Sequence, residues 1–232
     1  MLTYSEFSLP ILSQWHQKRY LEFASQVLQA QQQMTSEGNN ILHYTLNSQA
    51  RHERMSHYPK GDRIDHRTGA QYFYHCHREN YESTEHGHFH CFLRYKHIPK
   101  TIKPASLFDW DRYIDNPMTH LVAIGMNQSG QPIRLFTVNR WVTSEIWYEA
   151  KYTARLLKHY KMTLENSYWQ VLDKWIEGII YLFAPQITWL HHERDRIMQH
   201  QQAENPYLDY ELEELSQIPI DLKQQIEWII GS

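Results

Sequence analysis

The sequence predicts an α+β domain in which an antiparallel sheet of about four strands is flanked by N-terminal and C-terminal helices. Three observations carry that expectation. Apolar residues recur at helical spacing near both ends of the 232-residue chain; four segments between residues 70 and 139 are rich in aromatic and β-branched side chains; and two of those segments are joined by Asn127-Gln128-Ser129-Gly130, a loop of hairpin type.

At the N-terminus, Ser8 and Pro10 suit a helix start, and Tyr20, Phe23, Ala24, Val27 and Leu28 share one face, which predicts a helix over residues 9–33. From Asn40 to Arg67 the chain is polar, broken by Pro59-Lys60-Gly61-Asp62, and reads as a loop with room for one short helix. The strands are expected in AQYFYHCH, HFHCFLRY, HLVAIGM and PIRLFTVN. Beyond Trp141 the period becomes helical. Thr143 or Ser144 would cap a helix bearing Trp147, Ala150, Ala154 and Leu157, and Trp169, Leu172, Ile176, Ile179 and Phe183 mark a second one. The most apolar stretch, Trp175 to Leu190, is interrupted by Glu177, Gly178 and Pro185 and falls short of the roughly 20 residues of a membrane span, so it reads as a buried helix stopping at Pro185. Residues 1–200 are expected to form one domain. Residues 201–232, acidic in ENPYLDYELEEL and amphipathic in DLKQQIEWII, form an extension packed on it, with docking of a protein partner or self-association as the alternative.

Composition narrows the function. A hydrophobic share of 41%, with 14% aromatic, is enough for a sizeable core, while a formal charge of -3 provides no broad basic field for nucleic acid or an anionic membrane. Two cysteines make no disulfide framework, and MLTYSEFSLPILSQWHQKRY lacks the features of a secretory signal, so a cytoplasmic location is expected.

The densest chemistry is YFYHCHRENYESTEHGHFHCF, Tyr72 to Phe92, which carries five histidines and both cysteines. Alternate residues of a strand share a face. Phe73, His75, His77 and Glu79 therefore lie together, as do His86, His88, His90, Phe92 and Arg94, while Tyr72, Tyr74, Cys76, Phe89, Cys91 and Leu93 take the opposite, apolar face. A loop centred near Tyr81 and Glu82 makes paired residue numbers sum to 163, setting His77 opposite His86, His75 opposite His88 and Phe73 opposite His90. Cross-strand Cβ atoms about 4.5 to 5.5 Å apart allow imidazoles from both strands to meet at one ion.

Several neutral imidazoles presenting lone pairs together suit a divalent metal ion, with Zn, Fe or Cu as candidates. His75, His88 and His90 are the first choice as ligands, and His77 or His86 would be a fourth ligand or an outer partner. Glu79 is the candidate general base. Arg94, on the same face, and Arg140 are candidates for holding an anionic group, or else for pairing with acidic side chains. Cys76 and Cys91 are expected as core thiols, His191 and His192 as surface residues of a helix, and the loop His57 to Asp65 either as a segment that places His57 or Asp62 over the cluster or, given its Pro and Gly, as a plain turn. An H-x-H strand element with a third histidine from a neighbour is similar to the site arrangement of carbonic anhydrases and, more loosely, of cupins. A carboxylate such as Glu79 or Glu85 beside two histidines would instead resemble non-haem iron sites. The favoured function is a metal-dependent enzyme, a hydrolase or non-haem oxygenase, acting on a small molecule. The alternatives are a metal-binding, storage or sensing protein with a closed site, and an interaction protein whose histidines form a hydrogen-bonded network.

The blocks HYPKGDRID, QYFYHCHR, EHGHFHCFLR and HLVAIGMNQSGQPIRLFTVNRWVT, over roughly residues 40–150, resemble an uncharacterised bacterial family recorded as a domain of unknown function. The resemblance implies a bacterial origin and treats these blocks as one unit. It implies no reaction or ligand.

Overall fold

The structure, a computed structural model, describes residues 6–46, 56–76, 84–107, 117–165 and 167–231. Helix α1 (Gln14–Ser36) buries Ala24, Val27, Ala30 and Met34, the three- and four-residue spacing of one helical face. It starts later than the sequence suggests because Ser13, not Ser8, is the cap: its hydroxyl accepts from the His16 N–H at 3.4 Å. A short helix, α2 (Ile41–Leu46), follows.

The fold is α+β as expected, but the sheet has six strands rather than about four. They are β1 (Tyr58–Ile64), β2 (Ala70–His75), β3 (Glu85–Arg94), β4 (Met118–Asn127), β5 (Pro132–Val138) and β6 (Glu214–Pro219), each antiparallel to its neighbour and ordered as in the chain. The two additional strands are the edges. Because one side of each is unpaired, β1 tolerates Pro59 and a break in register at Gly61 and Asp62, and β6 alternates only weakly, so neither carries the apolar pattern of an inner strand.

Among the described residues, four α-helices lie between β5 and β6: α3 (Arg140–Thr143), α4 (Thr153–Leu157), α5 (Gln170–Leu182) and α6 (Ala184–Gln199). The single helix expected over Trp147 to Leu157 does not form. Ser144 ends α3 with a left-handed φ of 51° instead of starting a helix, and only Thr153–Leu157 is α-helical beyond it. Pro185 likewise opens α6 rather than closing α5, since a proline in the first turn removes only an N–H that has no helical partner. Helix α7 (Leu222–Gly231) ends the described chain, and Tyr20 of α1 meets its Trp228 edge-on at 5.7 Å.

One face of the sheet carries Tyr72, Tyr74, Phe89, Cys91, Val122 and Ile124 into a core shared with α1, α5 and α6, and Phe89 lies 6.1 Å from Trp175 of α5. Cys76 and Cys91 are buried free thiols, as parity requires. The edge strand is tied to this core by a charge pair. Arg63 donates to Asp173 at 2.6 and 3.0 Å, and the Tyr72 hydroxyl donates to the same carboxylate at 2.8 Å.

His191 is not on the surface. It is 2% exposed, and its Nε2–H donates to the Leu121 carbonyl at 2.7 Å, because α6 turns its polar residues Gln186, His191, Glu193 and Arg194 inward; His192 is exposed. Burial, reinforced by the nearby Arg194 charge, holds the His191 imidazole well below its ordinary value. The unfolded chain takes up a proton at this residue near pH ~6.5 and the folded chain does not, so this contribution to stability is complete above that pH and is lost progressively below it. His191→Gln keeps a donor for Leu121 and removes the proton uptake. Its stability should therefore fall less steeply between pH 6.5 and 4.5, by up to about 1.4 kcal/mol per pH unit, in urea titrations at several pH values. Parallel profiles for the variant and the parent would contradict this.

Candidate metal centre

The opposite face of the sheet assembles the histidines. Pairing between β2 and β3 sets Phe73 against His90 and His75 against His88, the expected register, and β4 places Ala123 and Gly125 beside His90 and His88. The His75, His88 and His90 rings stand 4.5 to 5.1 Å apart, and each offers a nitrogen that lies within 4.8 Å of the other two. The nearest pair is Nε2 of His75 and Nε2 of His88, at 2.7 Å. The three residues are 7%, 6% and 2% exposed, and Phe73, Phe92 and Phe136 pack around them.

Two bulges decide what joins this face. In the first, Glu85 pairs with Asn127 and Gly87 with Met126, so β3 spends an extra residue and the alternation breaks before His88. His86 is thereby turned to the apolar side, where its Nδ1 meets the Tyr74 hydroxyl at 2.6 Å, which corrects its expected place among the clustered histidines. Glu85 takes the histidine face instead. Gly87 makes room for this crossing, since a Cβ there would run into the His75 carbonyl and the Tyr74 hydroxyl oxygen. In the second bulge, Cys91 pairs with Val122 and Phe92 with His120, so β4 carries the extra residue and His120 swings onto the histidine face. Its Nε2 lies 3.0 Å from Nδ1 of His90.

Each of two clustered rings is thus backed at its far nitrogen. His88 Nδ1–H donates to Glu85 Oε1 at 2.9 Å, a carboxylate being able only to accept, which turns His88 Nε2 toward His75. Glu85 is held from behind by Arg134, whose Nε–H donates to Oε2 at 2.5 Å while its Nη groups clasp Glu214 of β6 at 2.7 and 2.8 Å. Burial alone would raise the Glu85 carboxyl, but the hydrogen bonds from His88 and Arg134 outweigh it and keep it below its usual range. Gly125 is the space that permits this: a Cβ there would sit 2.6 Å from Glu85 Oε2 and 2.8 Å from Arg134 Cγ. Burial, then the neighbouring imidazoles, holds His90 well below its ordinary value. His120 is pushed down to about 3 by burial and by the Arg194 and His88 charges. His90 and His120 are therefore neutral at pH 7, the state in which imidazole binds a metal.

The β1 loop covers the Phe73 end of this face. His57 stacks on Phe73 with centroids 3.6 Å apart, its ring centre is 6.3 Å from that of His75, and its Nδ1 is 2.8 Å from Asp62. Asp62 accepts from Gln71 at 2.7 Å, and Gln71 accepts from Arg94 at 2.7 Å, so Arg94 belongs to a polar strap along the sheet. Arg140 is buried, with its Nε–H donating to the Glu145 carbonyl at 3.0 Å. His77 and Glu79 lie outside the described residues. His120 escaped the sequence reading because simple alternation pairs it with Val122 on the apolar side.

A six-stranded α+β fold with a buried three-histidine group that could bind a metal ion is the class of protein that the structure defines. The chain belongs to the DUF6969 family, described as a domain of unknown function, which matches residues 21–220 and so takes in all six strands. No curated protein and no solved structure matches the chain. Among the described residues, no helix is long and apolar enough to cross a membrane.

Proposed function

We propose that the protein is a metal-dependent enzyme acting on a small molecule through one divalent ion held by His75, His88 and His90. The observation that carries this reading is the convergence of three buried imidazoles, two of them fixed from behind by Glu85 and His120. Ligand histidines commonly give their second nitrogen to a carboxylate or another polar group, which sets the tautomer and orients the ring. Ligand nitrogens of one tetrahedral ion are roughly 3.3 Å apart at the usual ~2.0–2.1 Å bond length. Small rotations of the rings would bring the trio to that spacing. Three protein ligands leave a position for water or substrate, and a metal there lowers the pKa of bound water or engages dioxygen, depending on whether it is Zn, Fe or Cu. Glu79 remains the proposed general base, His77 a proposed fourth ligand or outer partner, and Arg94 a proposed anchor for substrate.

A second reading, a closed metal-storage or sensing site without turnover, is favoured by the low exposure of all three histidines. Cobalt(II) substitution separates the two. An open site should change its visible spectrum when azide is added, as the anion replaces water; a spectrum indifferent to azide would support the closed site and exclude the catalytic one.

Glu85→Gln keeps an acceptor for His88 and removes the charge. It is expected to weaken metal binding by about 10- to 100-fold in chelator competition. Unchanged affinity would mean that Glu85 serves only the Arg134 strut.

A further inference from the structure

A second cavity lies away from the histidines, between the N-terminal segment, α1, α4, α5 and α6. Its volume is about 740 Å³, within the range of small-molecule sites. Phe7, Trp15, Phe23, Tyr181 and Trp189 form an aromatic wall, with Phe7 set 5.6 Å from Trp189 and Phe23 stacked on Tyr181 at 4.3 Å. Two cations, Arg19 and Lys158, line the same space. Arg19 lies over two aromatic rings, its guanidinium carbon 5.6 Å from the Trp15 centroid and 5.8 Å from that of Phe23. Among the described residues, neither cation has a carboxylate within ion-pair distance. Among the described residues the wall carries one acidic side chain, Glu193, which is 5% exposed and ion-paired with Arg196 at 2.7 Å. The cavity is therefore apolar along its length and carries uncompensated positive charge.

We propose that this cavity binds a single-chain amphipathic carboxylate of the fatty-acid type, with the chain along the aromatic wall and the carboxylate on the Arg19 guanidinium. The planar fork of arginine matches the two oxygens of a carboxylate, and the apolar wall gains from burying a hydrocarbon chain that water excludes. An uncharged chain would leave both cations without a partner, and a cationic one would be repelled by them.

Isothermal titration calorimetry of the full chain with dodecanoate, below its aggregation concentration, tests this, with methyl dodecanoate and dodecyltrimethylammonium as controls. The expected result is saturable binding of one dodecanoate per chain, at least about tenfold tighter than either control, the size of one charge-assisted hydrogen bond. Arg19→Gln, a change at an exposed helix position, should weaken dodecanoate by about tenfold and leave methyl dodecanoate unaffected, with circular dichroism confirming the fold. Thr188→Trp, which fills the cavity from α6, should abolish binding of both. Absence of saturable heat, equal affinity for the three ligands, or full affinity in Arg19→Gln would overturn the proposal. So would concentration-dependent dimerisation that excludes dodecanoate, which would show that a second copy occupies the cavity, where Trp15 is 63% exposed.

Discussion

His88→Ala is expected to reduce metal affinity by more than about a hundredfold while the protein keeps its fold. His88 is the central member of the trio: it sits 2.7 Å from His75, its ring lies 4.8 Å from that of His90, and Glu85 fixes its orientation. Its removal leaves two of the three proposed ligands, a greater loss than that of an outer partner, which already costs about 10- to 100-fold. The apolar face of β3, carried by Phe89 and Cys91, is untouched, and Glu85 retains Arg134. The destabilisation should accordingly stay within about 3 kcal/mol. Chelator competition for the affinity and circular dichroism for the fold check both halves, and a variant that binds metal as tightly as the parent would remove His88 from the site.

Asp173→Ala should produce the largest loss of stability away from the histidines, about 3–5 kcal/mol. The carboxylate receives Arg63 and the Tyr72 hydroxyl in a nearly dry position, with side-chain exposures of 2% for Asp173 and 15% for Arg63. Burial raises its carboxyl even though Arg63 and Tyr72 oppose that, so desolvation is already a cost in the intact pair. Deleting one partner leaves the Tyr72 phenol without its acceptor and Arg63 with the Ser167 hydroxyl in place of a carboxylate, whereas Asp173→Asn retains an acceptor and should lose less. In thermal unfolding the alanine variant should melt roughly 10 °C below the parent. A shift of only one or two degrees would show that β1 is held by its strand pairing rather than by this ion pair.

The histidine face was legible in the sequence because it depends only on alternation. His75, His88, His90 and Phe73 obey that rule, and a loop centred near Tyr81 was enough to set them opposite one another. What alternation cannot reveal is where it stops. The bulges at Glu85-His86 and at Leu121 exchange His86 for Glu85 and bring in His120; the first leaves the isolated strand glycine Gly87 as its trace, with Gly125 making room for Glu85, and the second leaves no glycine at all. The edge strands β1 and β6 were illegible for a different reason. Half-solvated strands need little apolar pattern, and Pro59 and Gly61 resemble loop residues. His191 was misplaced because a helix rich in charge ordinarily faces water, whereas α6 buries Arg194 against Trp147, 3.8 Å from the ring centroid, and gives it the Tyr148 carbonyl.

Metal binding by His75, His88 and His90 is tested most directly by the metal-to-protein ratio of tag-free protein. The measurement is elemental analysis after reconstitution with Zn(II), Fe(II) under anaerobic conditions, or Cu(II), followed by dialysis. We expect about one ion per chain for at least one of these metals, and none in a folded variant with all three histidines changed to alanine. A parent chain that retains no ion, or a triple variant that retains as much as the parent, would contradict the account and leave the cluster as a hydrogen-bonded histidine network.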